Sequence, residues 1–493
     1  MSPDEPLLVG PQGESPPPAP PPPPPEIQEG PYESSGGHLR DELARLDRLV
    51  RAHTVRWRST LAATKPSSLW GMIHVTDQEV EDYLRSPFTS PRDLPAALRP
   101  ALEPYWRQAE EMAEAIARRR AATGIPLRLD FLVERFRLSG LQRDALLLCL
   151  LPELDGRYRR LFGYLQDDAS RTRPTVELIL DILLPEAPDP GDARDAFARG
   201  GPLADHGLLA AGPEAQGEDP LPARLLRIDD RIAGYLLGSD RIDGRLEGIV
   251  TVFPESPGWD DLPAEPAQAE RLRKLAAGWS EMGGPRTVLL HGPYGSGRLA
   301  EARVLAGELG MPLLAVSAAR ALQSSEPWER VIVLAFREAL LRGAALAWTG
   351  CEALLAADAP PWRWDRLTEA AEAFAGTTFL LSETAWEPAG RFRQTPFLRL
   401  DLPVPGYRHR RHLWEKLLPP MPGREILAET LANGFQLTAG QMEDALATAR
   451  AHAALRDPHD PRLTADDLHE GCRRQSVRRL TTFARRIEPR TGL

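Results

Sequence analysis

The stretch VLLHGPYGSGRLAEARVLAGELG, residues 288–310, carries the clearest chemical pattern in the chain. An apolar run ends in Gly292, Pro293, Tyr294, Gly295, Ser296 and Gly297, and a helical pattern begins at once with Arg298 and Leu299. Glycines at this spacing between a strand and a helix let backbone N–H groups close around phosphate oxygens, at a helix N-terminus whose dipole favours an anion. Turnover needs two more side chains, a lysine to bridge the terminal phosphates and a hydroxyl to hold magnesium. Those positions carry Arg298 and Leu299. Arginine keeps the charge but spreads it over a wide planar fork, and leucine cannot ligate a metal. The chain's only lysines are Lys65, Lys274 and Lys416, so no other lysine lies near the loop in sequence.

The partner half of such a site would stand at the end of the run AALAWTGCEALL, where hydrolysis needs one carboxylate for the magnesium shell and another to activate water. Thr349 and Gly350 occupy that strand end, and Glu352 falls on the following turn. The glycine frame is kept while the lysine, the hydroxyl and the acidic pair are missing together.

Around this loop, short apolar runs (TVLLH, PLLAVS, AALAWT, TTFLLS, FLRLDL) alternate with helical segments (RLAEARVLAGEL, WERVIVLAFREALLR, RWDRLTEAAEAFA). Strands separated by helices of this length imply a parallel sheet covered on both faces. After about residue 406 the strands stop and helices follow, one opened by the Thr438–Gln441 capping box and one by Thr464 and Asp467. Upstream, residues 38–126 contain two helical patterns, the first with Leu39, Leu43, Leu46, Leu49 and Val50 on one face. Residues 127–238 hold several short helices, among them one opened by Ser139 and Gln142 and one, RYRRLFGYL, expected to pack Leu161, Tyr164 and Leu165 inward. The runs GLLAA and ARLLRI then form a hairpin, so this span reads as a winged helix.

The chain has 493 residues, a net charge of −10 and a hydrophobic fraction of 42%. That length calls for several domains. No apolar run approaches the ~18 residues needed to span a bilayer, so no membrane contact is expected. The start, MSPDEPLLVG, lacks the basic flank and apolar block of a secretory signal, which leads us to expect a cytoplasmic location. Cys149, Cys351 and Cys472 stand far apart and are expected as buried apolar fillers. Residues 1–37 hold 13 of the 49 prolines and are expected to be a disordered, partly polyproline arm.

With these motifs in hand, the sequence resembles the AAA+ ATPases over residues 286–479: the loop GPYGSGR, the strand and helix order, the segment WEPAGRFRQTPFLRLDLPVPGYRHRRHLW and the helical GFQLTAGQMEDAL. More narrowly it is similar to bacterial AAA-family proteins with an N-terminal winged helix, on the stretch LQRDALLLCLLPELDGRYRRLFGYLQDDASRTRPTVELILDILL. The resemblance implies an arm (1–37), a helical region (38–126), a winged-helix domain (127–238) and a connector (239–285). An AAA-type αβα domain (286–403), a helical lid (404–479) and a basic connector or tail (480–493) then follow. It implies ATP or ADP as the cofactor, with magnesium put in doubt by Leu299 and Thr349. Glu383 and Thr384 stand where the family expects a sensor asparagine, and Arg391 and Arg393 are the candidates for an inter-subunit arginine finger. Members of that group carry a degenerate first ATPase module followed by an intact second one, and some are associated with contractile injection systems. The ending FARRIEPRTGL resembles the connector between the two modules, so an active module is expected to follow Leu493.

Three functions fit these residues. The first is a degenerate, pseudo-ATPase subunit used for ring assembly with itself or related AAA+ subunits and for docking an unidentified protein client. The second is an active ATPase with an atypical site, or one completed in trans. The third is a winged-helix DNA-binding regulator, supported by a tail with seven arginines against one glutamate from Arg473 onward. Residues 127–238 carry 14 Arg, no Lys and 19 acidic residues, whereas a groove reader needs a basic face. Nucleic acid is therefore not expected as a partner.

Overall fold

The computed structural model describes residues 23, 25–64, 97–185, 190–211 and 219–483. Most of the proline-rich arm, the tip of the expected hairpin and the end of the basic tail lie outside them. The chain divides into two units, Met1–Arg241 and Ile242–Leu493.

In the first unit α1 (Ser35–Thr64) pairs with α2 (Arg99–Ala122), burying Ala52, Leu102 and Tyr105 between them. The chain then forms α3 (Arg128–Arg135), α4 (Gly140–Leu154), α5 (Gly156–Leu165), α6 (Val176–Leu183) and two short turns of helix, α7 (Pro190–Asp195) and α8 (Pro202–Asp205). Strands β1 (Leu209–Ala211) and β2 (Leu226–Ile228) pair antiparallel, and α9 (Asp230–Leu236) closes the unit. This is the expected winged-helix arrangement. Ser139 and Gln142 make the reciprocal capping box that starts α4, whose residues Ala145–Leu151 are all buried.

Three expectations are corrected here. The arm was expected to stay disordered to residue 37, but Tyr32 is buried, donates to Asp41 and lies under the Arg119 guanidinium. On α5 it is Phe162, fully buried, that fills the core beside Leu165, while Tyr164 is 42% exposed. Finally, α1 is not a simple amphipathic helix: besides Leu39, Leu46 and Val50 it buries His38, Glu42, Arg45, Arg48 and His53.

The Glu42 and Arg45 charges are paired. Arg45 donates to Glu42 at 2.8 Å and to Asp144 of α4 at 2.8 Å, and Arg143 also donates to Asp144 at 2.8 Å. Burial works against the Glu42 carboxylate, but the His38 ring and the Arg45 and Arg143 guanidiniums outweigh it and hold its pKa at about 2. Because the folded value lies below the unfolded one, the stabilisation is present above pH 4.5 and is lost as pH falls through 2. Glu42→Gln is expected to reduce the stability of the α1–α4 packing by about 2 kcal/mol at pH 7. Hydrogen exchange of the α1 amides would show this, with the gap to wild type narrowing below pH 4.5.

The second unit is built on a six-stranded sheet ordered β3-β5-β6-β7-β4-β8. Its strands are β3 (Val250–Phe253), β4 (Arg286–His291), β5 (Leu313–Ser317), β6 (Ala345–Thr349), β7 (Thr377–Ser382) and β8 (Phe397–Asp401). All neighbours are parallel except β3, which runs antiparallel to β5. The stretch expected as a plain connector thus supplies an edge strand. The helices of the sheet layer are α10 (Pro266–Met282), α11 (Arg298–Glu308), α12 (Ala318–Gln323), α13 (Trp328–Arg342), α14 (Glu352–Leu355) and α15 (Pro361–Ala373). The core joins Leu272 and Trp279 of α10 and Leu305 of α11 to Val288, Leu290, Phe379 and Leu381 of the strands. The fully buried Arg337 of α13 donates to Asp243 at 2.6 Å, fixing the approach to β3.

The lid is α16 (Tyr407–Leu417), α17 (Arg424–Gly434), α18 (Ala439–Arg456) and α19 (Ala465–Phe483). It packs around Trp414, Leu431, Met442 and Cys472. Its buried Arg410 is satisfied by the carbonyls of Ala432 and Pro405. All three cysteines are free and buried, and no described helix is long and apolar enough to cross a membrane.

Candidate nucleotide site

Strand β4 lies between β7 and β8: the chain leaves β4 for β5 on one side of it, returns through β6 and β7, and crosses to β8 on the other. Ligands of open α/β sheets bind at the carboxyl end of the strands at such a switch point. The sequence places the glycine loop there, between His291 and Arg298, and Gly297 (φ 91°) starts α11.

The lid grips this loop from behind. Gly440 N–H donates to Gly295 O at 3.0 Å, Thr438 Oγ1 donates to Tyr294 O at 2.8 Å, and Tyr294 OH donates to Asp444 at 3.1 Å. Gly295 has φ 74°, and a Cβ there would come within 2.6 Å of Thr438 Oγ1 and 2.9 Å of Gln441 N. Only glycine meets both the backbone conformation and the approach. The Thr438–Gln441 capping box therefore does two jobs, starting α18 and presenting Thr438 to the loop.

The acidic and basic candidates converge in front of the loop. Arg298 donates from Nη2 to Glu383 Oε1 at 3.2 Å, and the Glu383 N–H in turn donates to Glu352 Oε2 at 3.2 Å. Thr349 Oγ1 is turned into the sheet, donating to Val316 O at 3.2 Å, while Gly350 (φ 73°) makes the turn before α14. Thr384 N–H donates to Ser382 Oγ at 3.0 Å. Leu299 offers a magnesium ion no ligand atom.

Arg391 and Arg393 are not brought to this cluster. Arg391 pairs with Asp365 at 2.7 Å and with Thr368 Oγ1 at 3.0 Å on α15. The Arg393 guanidinium donates to Gly390 O at 3.0 Å. Both sit on a tight loop in which Ala389 (φ 46°) and Phe392 (φ 57°) take left-handed conformations that non-glycine residues seldom adopt.

Two features escaped the reading of the sequence. Glu301, one turn into α11, is 2% exposed; Gln268 donates to its Oε1 at 2.8 Å, while Oε2 is buried without a partner. It faces a cleft also lined by Pro263, Ser296, Leu402 and Ala439. Burial pushes the Glu301 carboxyl up to about 8, against a smaller opposing effect of the Gln268 amide. An acidic residue in a first helical turn is ordinary, and nothing in its sequence neighbourhood marks it as buried. The second is a charged group behind the loop, where His291 Nδ1 meets Asp401 at 2.7 Å and Arg399 bridges Asp401 and Glu387.

Two family descriptions match the chain. A variant winged-helix domain covers residues 21–250, wider than the 127–238 expected. The helical domain of contractile injection system ATPases covers residues 406–478, which includes the segment that grips the glycine loop. Together they give the chain an N-terminal winged-helix domain and a C-terminal ATPase helical domain. Among solved structures, the AAA domain of FIGL-1 is 18% identical, with 49% of this chain and 95% of that chain covered at a TM-score of 0.36. A structure described as the basis for katanin self-assembly is also 18% identical, covering 48% and 92% at a TM-score of 0.37. No curated protein matches the chain.

The Glu301 carboxyl gives this AAA-type module a measurable signature. Its folded pKa lies above the unfolded value of 4.5, so the folded state holds a proton that the unfolded state has lost between 4.5 and about 8. Stability is therefore full below pH 4.5 and falls as pH rises through 8, costing about 3 kcal/mol at pH 7. Glu301→Gln is expected to match wild type near pH 5 and to exceed it by an increasing margin up to pH 8.5, measured by calorimetric unfolding.

Proposed function

We propose that this chain is a non-hydrolysing AAA+ subunit: it holds a nucleotide without turning it over, assembles with copies of itself or with related AAA+ subunits, and docks a partner protein through its winged-helix unit. The observation that carries this reading is the Arg298–Glu383 pair at 3.2 Å. The one cation in the loop is already countered by a carboxylate, where turnover would need it aimed at phosphate. Replacing lysine by a guanidinium held in this way removes the bridge to the terminal phosphates. With Leu299 and Thr349 in the metal-binding positions, no water is activated. What persists is the architecture of an assembling subunit, a complete sheet with its lid fastened to the loop.

The match to a contractile injection system helical domain supports remodelling or assembly within such a system as the setting. The acidic balance of residues 127–238 favours a protein partner for the winged helix over a duplex.

The test is to measure magnesium-dependent ATP hydrolysis and particle mass on the same preparation. Hydrolysis is expected at the level of buffer alone, with a particle heavier than one chain at micromolar concentration. Magnesium-dependent turnover abolished by Gly297→Asp would overturn the reading, as would a strictly monomeric particle with and without nucleotide.

A further inference from the structure

One stripe of helix α5 faces away from the core. Helical spacing puts Arg157, Arg160, Leu161 and Tyr164 within one arc, while Phe162 and Leu165 point inward and are buried. The Arg157 side chain is 85% exposed and Tyr164 is 42% exposed. Arg157 is countered by Asp155 at 2.5 Å, and Arg159 donates back to Pro152 O at 2.9 Å. Arg160 is exposed and makes no ion pair with any described residue. A guanidinium, a half-buried leucine and an aromatic ring therefore stand together on the outside of an otherwise acidic domain. Such a face fits an acidic segment that also carries apolar side chains.

The chain itself contains one. Asp4 and Glu5 are followed by Pro6 and then by Leu7, Leu8 and Val9. Proline restrains the residue before it to extended backbone, and in an extended segment Glu5 and Leu7 project to the same side about 7 Å apart. The four residues from Arg160 to Tyr164 span about 6 Å of helix. The two spacings match.

We propose that residues 4–9 of this chain dock on the exposed face of α5, with Glu5 on the Arg160 guanidinium and Leu7 against Leu161 and Tyr164. The segment then competes with any partner protein that uses this face. The proposal does not depend on whether the second unit holds a nucleotide.

The tether has the length for this contact. Residues 16–25 are nine prolines and one alanine, a composition that favours an extended rod of about 30 Å. The chain is fastened just beyond that tract: Gly30 O accepts from Arg119 Nε at 3.0 Å, Tyr32 N–H donates to Thr123 Oγ1 at 2.9 Å, and Tyr32 OH donates to Asp41 of α1 at 3.0 Å. Helix α5 is held on the same α1, where Tyr158 OH donates to Asp47 at 2.7 Å. Asp41 and Asp47 are about 9 Å apart along the helix axis, so the root of the arm and its target share one support, and a spacer of this length bridges them.

The experiment titrates a labelled peptide of residues 1–10 against the full chain by fluorescence anisotropy, beside hydrogen exchange of the α5 amides. The double substitution Asp4→Lys, Glu5→Lys releases the chain's own segment. This variant is expected to bind the peptide about fivefold more tightly than wild type, whose tethered copy competes at a millimolar effective concentration, and its α5 amides are expected to exchange faster. Adding Arg160→Glu to it, with helical content unchanged, is expected to weaken binding at least tenfold, and a peptide with Glu5→Arg to restore it. A peptide carrying Asp4→Lys and Glu5→Lys, which leaves the protein untouched, is expected not to bind. No peptide binding by the released variant, equal binding by wild type, or indifference to the charge reversals would overturn the docking. So would α5 protection in wild type that rises with protein concentration, which gives the face to a second copy.

Discussion

The second unit depends on a backbone contact between two glycines. Gly295 in the loop and Gly440 at the start of α18 approach so closely that a Cβ on Gly440 would lie 2.7 Å from the Gly295 Cα. Through this contact the lid is not merely packed beside the sheet. Its first helical turn takes up loop carbonyls that would otherwise face solvent, and the capping threonine adds a second bond. The linker before α10 is drawn into the same arrangement, since Glu265 accepts from Gly406 N–H and His409 meets Pro263 O at 3.1 Å. Loop, lid and linker are thus mutually fixed by short polar contacts, each of which, apart from the one between Tyr294 and Asp444, has a main-chain group on at least one side.

The side chains in front of the loop are engaged with one another as well. Arg298, Glu383 and Glu352 form a chain of contacts that balances charge internally. Thr349 donates its hydroxyl to Val316 O on the neighbouring strand.

Much of the fold was legible. The loop glycines, the alternating strands and helices, and the capping boxes at Ser139 and Thr438 are local signals, and local signals survive in sequence. What was hidden depends on tertiary neighbours. Val250–Phe253 is four residues long and becomes a strand only because the β5 edge is available to it. The burial of Glu42 and Arg45 on α1 requires Asp144 from α4, about a hundred residues away. Tyr164 and Phe162 are both large and apolar enough for a core, and only the docking of α5 decides between them. Glu301 belongs to the same class, because α10, the linker and the lid close over it from three separate places in the chain.

The antiparallel β3 has a further consequence. A sheet that ends in an unpaired strand offers its N–H and C=O groups to any other strand, a route to uncontrolled polymerisation. Strand β3, only four residues long, is itself the edge on one side of the sheet, and the opposite side ends in β8, where Arg399 and Asp401 engage one another and their neighbours. Strand β8 thus ends its side of the sheet with paired charges. A very short edge on one side and a charged one on the other both disfavour the addition of a further strand, so the order of the sheet limits how it can be extended.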